Sequence, residues 1–178
     1  QKKEILEYAY PGDIVGIPDS GNFKIGDTLT EGEKVQFRGI PNFSPEQFRY
    51  IENADPMKAK QFAKGIDQLM DEGVAQLFTS TYNERKIIGT VGELQFEVIQ
   101  HRLKHEYGAS CQYEPLDVYK AVWITGDEDQ LADFRKRKSQ AMAKDKDGRD
   151  VFLAKSEWML KVAQEDYPDL NFHFSSEF

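Results

Sequence analysis

Glu97, His101 and His105 stand at intervals of four, so a helix through them presents a carboxylate and two imidazoles along one face. Paired imidazoles at that spacing can bind metal ions. A zinc-peptidase helix would read His-Glu-x-x-His, whereas this stretch reads His101-Arg102-Leu103-Lys104-His105. The cations Arg102 and Lys104 disfavour a dication there, and a solvated polar face is the plainer expectation. Cys111 is the sole cysteine and falls in a strand-like run, where a buried inert thiol is commoner than a nucleophile paired with histidine. The carboxylates carry no sequence signature of a paired acid and base.

Two further patterns could meet phosphates. Gly89-Thr90-Val91-Gly92 is a G-x-x-G, the spacing of an RNA-clamping KH loop. That loop joins two helices and usually carries basic residues, while this one follows a β-branched run and holds Thr and Val. No G-x-x-x-x-G-K-[ST] phosphate loop occurs. Arg135-Lys136-Arg137-Lys138 is the densest basic run. On a helix its charges spread around the circumference, which fits a solvated helix end better than an RNA contact. Arg102 and Lys104, beside His101 and His105, form a second small cationic spot.

These residues need elements to hold them. Ile87-Ile88 and Thr90-Val91 suit a strand, and Gly89 and Gly92 permit a tight turn. From Glu93 the period becomes helical, with Leu94, Phe96, Val98, Ile99, Leu103 and Tyr107 expected on the packed side. Glu93 suits the dipole of the first turn, and Gly108 suits a left-handed end. Asp55-Pro56 predicts another helix start, with Ala59, Phe62, Ala63, Ile66, Leu69 and Met70 inward. Gly126-Asp127 precedes a helix carrying Leu131, Phe134 and Met142. The run 144–149 reads as a surface loop, and Ser156 caps a last helix that Pro168 ends. Trp123 and Trp158 both fall at apolar positions and are expected in the core.

Strands are expected around 35–40, 48–51, 74–79, 110–113, 118–124, 151–154 and 170–174. The alternation of helices with strand pairs predicts an α+β fold: a mostly antiparallel sheet with helices on one face and a ferredoxin-like β-α-β-β-α-β at its centre. No short internal repeat is visible. Residues 1–35 differ. Turn signals at Pro11-Gly12-Asp13, 18–22 and 26–27 separate strand-like runs at 13–17 and 23–25, as at the end of a β-domain.

The 178 residues are 39% hydrophobic and 12% aromatic, enough to build a core rather than a disordered chain. The net charge of -8 argues against a domain that coats nucleic acid by charge alone. One cysteine permits no internal disulfide and favours a reducing compartment. No run of 18 apolar residues exists, so no membrane partner is expected. The start Gln1-Lys2-Lys3-Glu4 lacks an initiator methionine and a signal-peptide core, so a piece of a longer protein is expected.

Pro11-Gly12-Asp13-Ile14-Val15-Gly16, followed by Ile25-Gly26-Asp27-Thr28-Leu29, resembles the closing strands of the β-barrel domain of translational GTPases. The run from Gly89 to Gly108 resembles the third-domain strand and helix of elongation factor G and its relatives. Within that group, three stretches are similar to the bacterial peptide chain release factor 3 family. They are Phe37-Arg-Gly-Ile-Pro-Asn-Phe-Ser-Pro-Glu-Gln-Phe48, Leu94-Gln-Phe-Glu-Val98 and the ending Ala163-Gln-Glu-Asp-Tyr-Pro168. The resemblance covers essentially the whole chain.

The resemblance implies that 1–35 are the last strands of the barrel domain and that 36–178 are the C-terminal α+β domain, of elongation-factor-G third-domain type. It implies a cytoplasmic factor that promotes departure of the stop-codon-decoding, class-1 release factors from the ribosome. GTP and Mg²⁺ would belong to a GTPase domain upstream, so this fragment is expected to hold no catalytic, cofactor or metal residue. The implied partners are the ribosome, through a small-subunit protein and rRNA, and the chain's own GTPase domain. Candidate contacts are Gly89, Gly92, Glu93, His101, Arg102, Lys104 and His105, with Arg135, Lys136, Arg137 and Lys138 as a second group. The competing readings are a stand-alone RNA-binding ferredoxin-like module, which lacks the RNP-type aromatic run it would need, and the third domain of another elongation-factor-type GTPase.

Overall fold

The structure is a computed structural model and describes residues 5–18, 28–33 and 44–176. From residue 44 the order is β1 (Gln47–Asn53), α1 (Ala59–Asp71), β2 (Gln76–Ser80), β3 (Lys86–Thr90), α2 (Leu94–Tyr107), β4 (Cys111–Pro115), β5 (Lys120–Thr125), α3 (Glu128–Arg137), β6 (Met142–Asp145), β7 (Asp150–Ala154), α4 (Glu157–Asp166) and β8 (Asn171–His173). All eight strands join one antiparallel sheet in the order β4-β1-β3-β2-β6-β7-β5-β8.

That order contains a duplication. The first half, β1-α1-β2-β3-α2-β4, has strand order β4-β1-β3-β2. The second, β5-α3-β6-β7-α4-β8, read from the opposite edge, is β8-β5-β7-β6. Each half is therefore a ferredoxin-like β-α-β-β-α-β unit with the same winding. The units meet where the second strand of one pairs antiparallel with the second strand of the other, through Phe78↔Asp145, Thr79↔Lys144 and Ser80↔Ala143. An approximate two-fold relation between the halves follows. The sequence hid it because the repeat lies in the winding, not in the residues.

Three cores result. Ile51, Ile66, Leu69, Ile88, Phe96, Ile99 and Leu103 lie under α1 and α2. Val122, Ile124, Phe134, Phe152, Leu160 and Ala163 lie under α3 and α4. The opposite face of the sheet carries no helix among the described residues, and there Phe48, Phe78 and Ile87 of the first unit meet Trp123, Val151 and Leu153 of the second. Ser44 Oγ accepts from the Ala121 amide at 3.0 Å, and the Ser44 amide donates to the Phe174 carbonyl at 3.2 Å. In a flat sheet, β1 and β5 would stand about 24 Å apart, five strand spacings. The sheet must therefore curl so that its bare face closes upon itself. Burial on both faces explains why β3, β5 and β7 read as continuous apolar runs rather than alternating ones.

The local signals act as expected at most ends. The Asp55 side chain accepts from the Met57 amide at the start of a 3₁₀ turn, residues 56–58, that leads into α1, while Asp127 accepts from Asp129 and Gln130 at α3 and Ser156 from Met159 at α4. Gly108 ends α2 at φ 63°. Several expectations are corrected. Met142 opens strand β6 rather than extending the preceding helix, and of the run expected as a surface loop Lys144 and Asp145 belong to β6, while 146–149 form the turn that links it to β7. That turn is built on Asp145, whose Oδ1 accepts from the amides of Asp147 and Arg149 while its Oδ2 accepts from Trp123 Nε1 at 2.9 Å. Four residues reading Met-Ala-Lys-Asp were too short and too polar to announce a strand. Ala59 and Ala63 are exposed on α1. Residues 11–12 form the expected turn, yet 13–17 pair with no strand among the described residues, and Ile14 is fully solvated. A strand needs a partner for its amides, and the described residues supply none there. The runs expected at 23–25 and 35–40 lie outside the described residues.

Candidate functional site

β3 delivers the chain to α2 through Gly89 and Gly92, and the two glycines do different work. Gly89 lies in β3 facing Pro45, where a Cβ would stand 2.5 Å from the proline Cγ. Gly92 has open space around it. The amides of Val91 and Gly92 both donate to Gln95 Oε1, at 2.8 and 3.1 Å, and Gln95 Nε2 donates onward to the Val74 carbonyl at 3.1 Å. Gln95 thus caps its own helix by reaching back, in the manner of a capping-box residue. The donors that a phosphate would need are already engaged, so this turn does not fit a nucleotide phosphate or an RNA clamp. The glutamine three residues after Gly92 was the overlooked signal.

Glu93 carries no cap bond; its carboxylate instead pairs with Arg49 Nη2 at 2.8 Å. The Arg49 guanidinium also lies over the Phe96 ring, 4.4 Å from its centroid. Glu93 thereby ties α2 to β1.

The outward face of α2 is more apolar than its period suggested. Phe96, Ile99 and Leu103 are buried, but Leu94 is 69% exposed and Val98 is also exposed. Leu94 and Val98 were expected to pack; they lie on the far side from the core. With His101, Lys104 and His105 they line an open groove of about 830 Å³ that reaches Ser110 and Cys111. The His101 and His105 rings stack with centroids 4.1 Å apart. The sequence's first candidate cluster is therefore one surface, offering imidazoles, an ammonium and two aliphatic side chains. No group of three or more metal-ligating side chains is assembled among the described residues. Such a face suits contact with a partner.

Cys111 is 4% exposed and burial pushes its thiol up, with the Tyr113 hydroxyl acting the other way. A neutral thiol is a poor nucleophile. Burial likewise pushes the Tyr113 phenol up, and its hydroxyl donates to the Phe96 carbonyl at 2.9 Å.

The arginines among the candidates are internally committed. Arg102 binds Glu106 and Glu72 together, which hold its guanidinium above its ordinary range. Arg135 donates through Nε and Nη2 to Asp150 Oδ2, at 2.9 and 2.6 Å, and also binds Glu128. Lys144 Nζ lies 2.7 Å from the other Asp150 oxygen. Arg137 pairs with Asp133 four residues back. Lys136 and Lys138 complete the run on and just after α3, which covers the second unit, whereas α2 covers the first. The structure thus does not bring the two candidate groups onto one helix face.

Sequence reasoning also missed Trp158. It is 71% exposed, while Trp123 is 1% exposed. The inward period of α4 runs through Leu160, Ala163 and Tyr167, which puts position 158 on the opposite face. That spacing was readable.

The protein is an α+β scaffold of two tandem ferredoxin-like units with a groove on one helix. Its sequence from residue 37 to 164 matches the model of the class II release factor RF3 C-terminal domain, and the chain belongs to that family. Among solved structures, the protein ttk003000868 from Thermus thermophilus is similar to 55% of this chain at 16% identity, with a TM-score of 0.42. This chain spans only 16% of that longer protein, and a likeness so partial carries no argument. Among the described residues no helix is long and apolar enough to cross a membrane.

Proposed function

We propose that this chain is the ribosome-contacting and coupling region of a release-factor-3-type translational GTPase, which promotes dissociation of class-1 release factors in translation termination. The family match over residues 37–164 carries this reading. The GTPase chemistry, with GTP and Mg²⁺, would reside in an N-terminal domain outside these residues, and the whole protein would work in the cytoplasm. The role here is mechanical. One curled sheet and ion pairs such as Lys146–Asp71, which join the second unit to α1 of the first, favour movement of both units as one body.

The outer groove of α2 is the better of the two candidate ribosome contacts. It presents Lys104 and the imidazoles of His101 and His105 beside exposed Leu94 and Val98, a mixed surface suited to a ribosomal protein or RNA backbone. Nucleotide state can act through it only if its contacts differ between states. Cosedimentation with ribosomes tests this. The triple variant His101→Ala, Lys104→Ala, His105→Ala should weaken binding of the GTP-bound whole protein while leaving GTP affinity unchanged. Tight GTP binding by these 178 residues alone would overturn the reading.

A further inference from the structure

Exposed aromatic side chains and unpaired cations coincide at one place outside the groove. Trp158 projects from the first turn of α4 with 71% of its surface in water. Lys155 and Lys161 lie three residues to either side, and both are exposed. The backbone of Tyr119, a residue 46% exposed, joins the chain just before α4, where its amide donates to the Ala154 carbonyl at 2.8 Å. Lys120 pairs with Ala154 across the β5–β7 ladder. Among the described residues none of these three lysines joins an ion pair, in contrast to Arg102, Arg135 and Arg137.

An indole exposed to this extent has apolar area to cover, and its π-face suits a flat partner. A protein partner would favour an apolar surround, but the neighbours here are ammonium groups on flexible stems. That combination suits a nucleobase on the ring with its phosphates near the lysines. The carboxylates of Glu157 and Glu165 share the exposed side of α4, and exposed Asp117 lies near Tyr119. The local field is therefore close to balanced, and attraction by charge alone would be slight. Stacking must supply most of the binding.

We propose that Trp158, with Lys155 and Lys161 three residues to either side of it, is a stacking platform for unpaired bases of single-stranded RNA. This is a second contact surface, and it deepens the ribosome reading by naming the RNA chemistry that one face would take.

The two tryptophans make the test direct. Trp123 is 1% exposed, so quenching by added solute reports Trp158. Titrating this chain with a short oligoadenylate should quench the emission saturably, and the matched duplex should quench it far less. Stacking is worth about 1–3 kcal/mol per base, so Trp158→Ala should weaken oligonucleotide binding, read by anisotropy of a labelled strand, roughly 5- to 150-fold. Trp158→Phe should retain part of it. With about two phosphate contacts, the slope of log affinity against log salt should be near −1.4, and Lys161→Ala should reduce it by about 0.7. Circular dichroism of each variant verifies the fold. No saturable binding, equal affinity in Trp158→Ala, or equal quenching by duplex would overturn the assignment. A ribosome-binding failure with oligonucleotide binding intact would sink the function proposed above and leave this platform standing.

Discussion

Gly89→Ala and Gly92→Ala distinguish a packing joint from a ligand clamp. A Cβ on Gly89 would lie 2.5 Å from Cγ and 2.9 Å from Cβ of Pro45, and 3.1 Å from Cε2 of Phe78. Neither neighbour can easily yield. The proline ring is closed, and Phe78 contacts Phe48 and Trp123 with ring centroids 6.2 Å away in each case. Overpacking a filled core costs roughly 1–3 kcal/mol, and two rigid neighbours put this site in the upper half of that range. For a chain of this size, that is a fall in Tm of roughly 4–12 °C. A methyl on Gly92 would meet nothing within 4 Å, and that backbone is not left-handed. Its expected effect is within about 0.5 kcal/mol. Urea titrations followed by tryptophan emission give both values, and the slope should not change if only stability is altered. A neutral Gly89→Ala with a destabilising Gly92→Ala would refute the reasoning, because the tight contact would then lie on the loop side.

Three shorter predictions use buried or half-buried titratable groups. Cys111 should react slowly with a disulfide reagent in the folded chain and rapidly in denaturant; fast labelling of folded protein would contradict its buried, raised thiol. Burial holds His173 below its ordinary pKa, and its Nε2 lies 2.7 Å from Thr125 Oγ1. As pH falls through about 6.5, the unfolded chain takes up that proton first, so stability should drop below that pH until the folded imidazole, at its lower pKa, is protonated as well. His173→Gln should flatten that limb of the urea-midpoint profile. For Asp150, burial acts upward, but the hydrogen bonds from Arg135 and Lys144 outweigh it and hold the carboxylate low. Its contribution should persist above about pH 4 and vanish as pH falls through the lower folded value. Asp150→Asn should remove that acid dependence and cost roughly 1–3 kcal/mol, less than a fully buried pair because Arg135 and Lys144 still touch water.

Local chemistry was legible wherever one residue decides the backbone. Asp55, Asp127 and Ser156 announced three helix starts, and Gly108 announced an end, because a cap needs only its own side chain or its own φ. The α+β class followed from the alternation of helices and strands. What escaped was set at long range. β6 exists because β2 and β7 lie on either side of it, and its own residues carry little strand signal. The duplication is likewise a property of strand order, which no short window contains. Leu94 and Val98 were assigned inward because hydrophobicity alone cannot say which of two apolar stripes a helix buries. Phe96, Ile99 and Leu103 form the wider inward stripe, leaving the other facing water.

The same distinction governs charge. A run of four cations at 135–138 looks like the natural place for an anion, yet Arg135 and Arg137 already hold Asp150, Glu128 and Asp133. An arginine engaged in this way must give up a carboxylate before it can take a phosphate, and that exchange cancels most of the gain. Lys155 and Lys161 are inconspicuous in the sequence because nothing basic adjoins them. Among the described residues their ammonium groups have no carboxylate to exchange, and the ring placed between them in the sequence is the one large aromatic surface that α4 leaves in water. Availability of a charge is a property of the fold, whereas its count is a property of the sequence. On a chain with net charge -8, the binding surface is better sought where cations are unpaired than where they are dense.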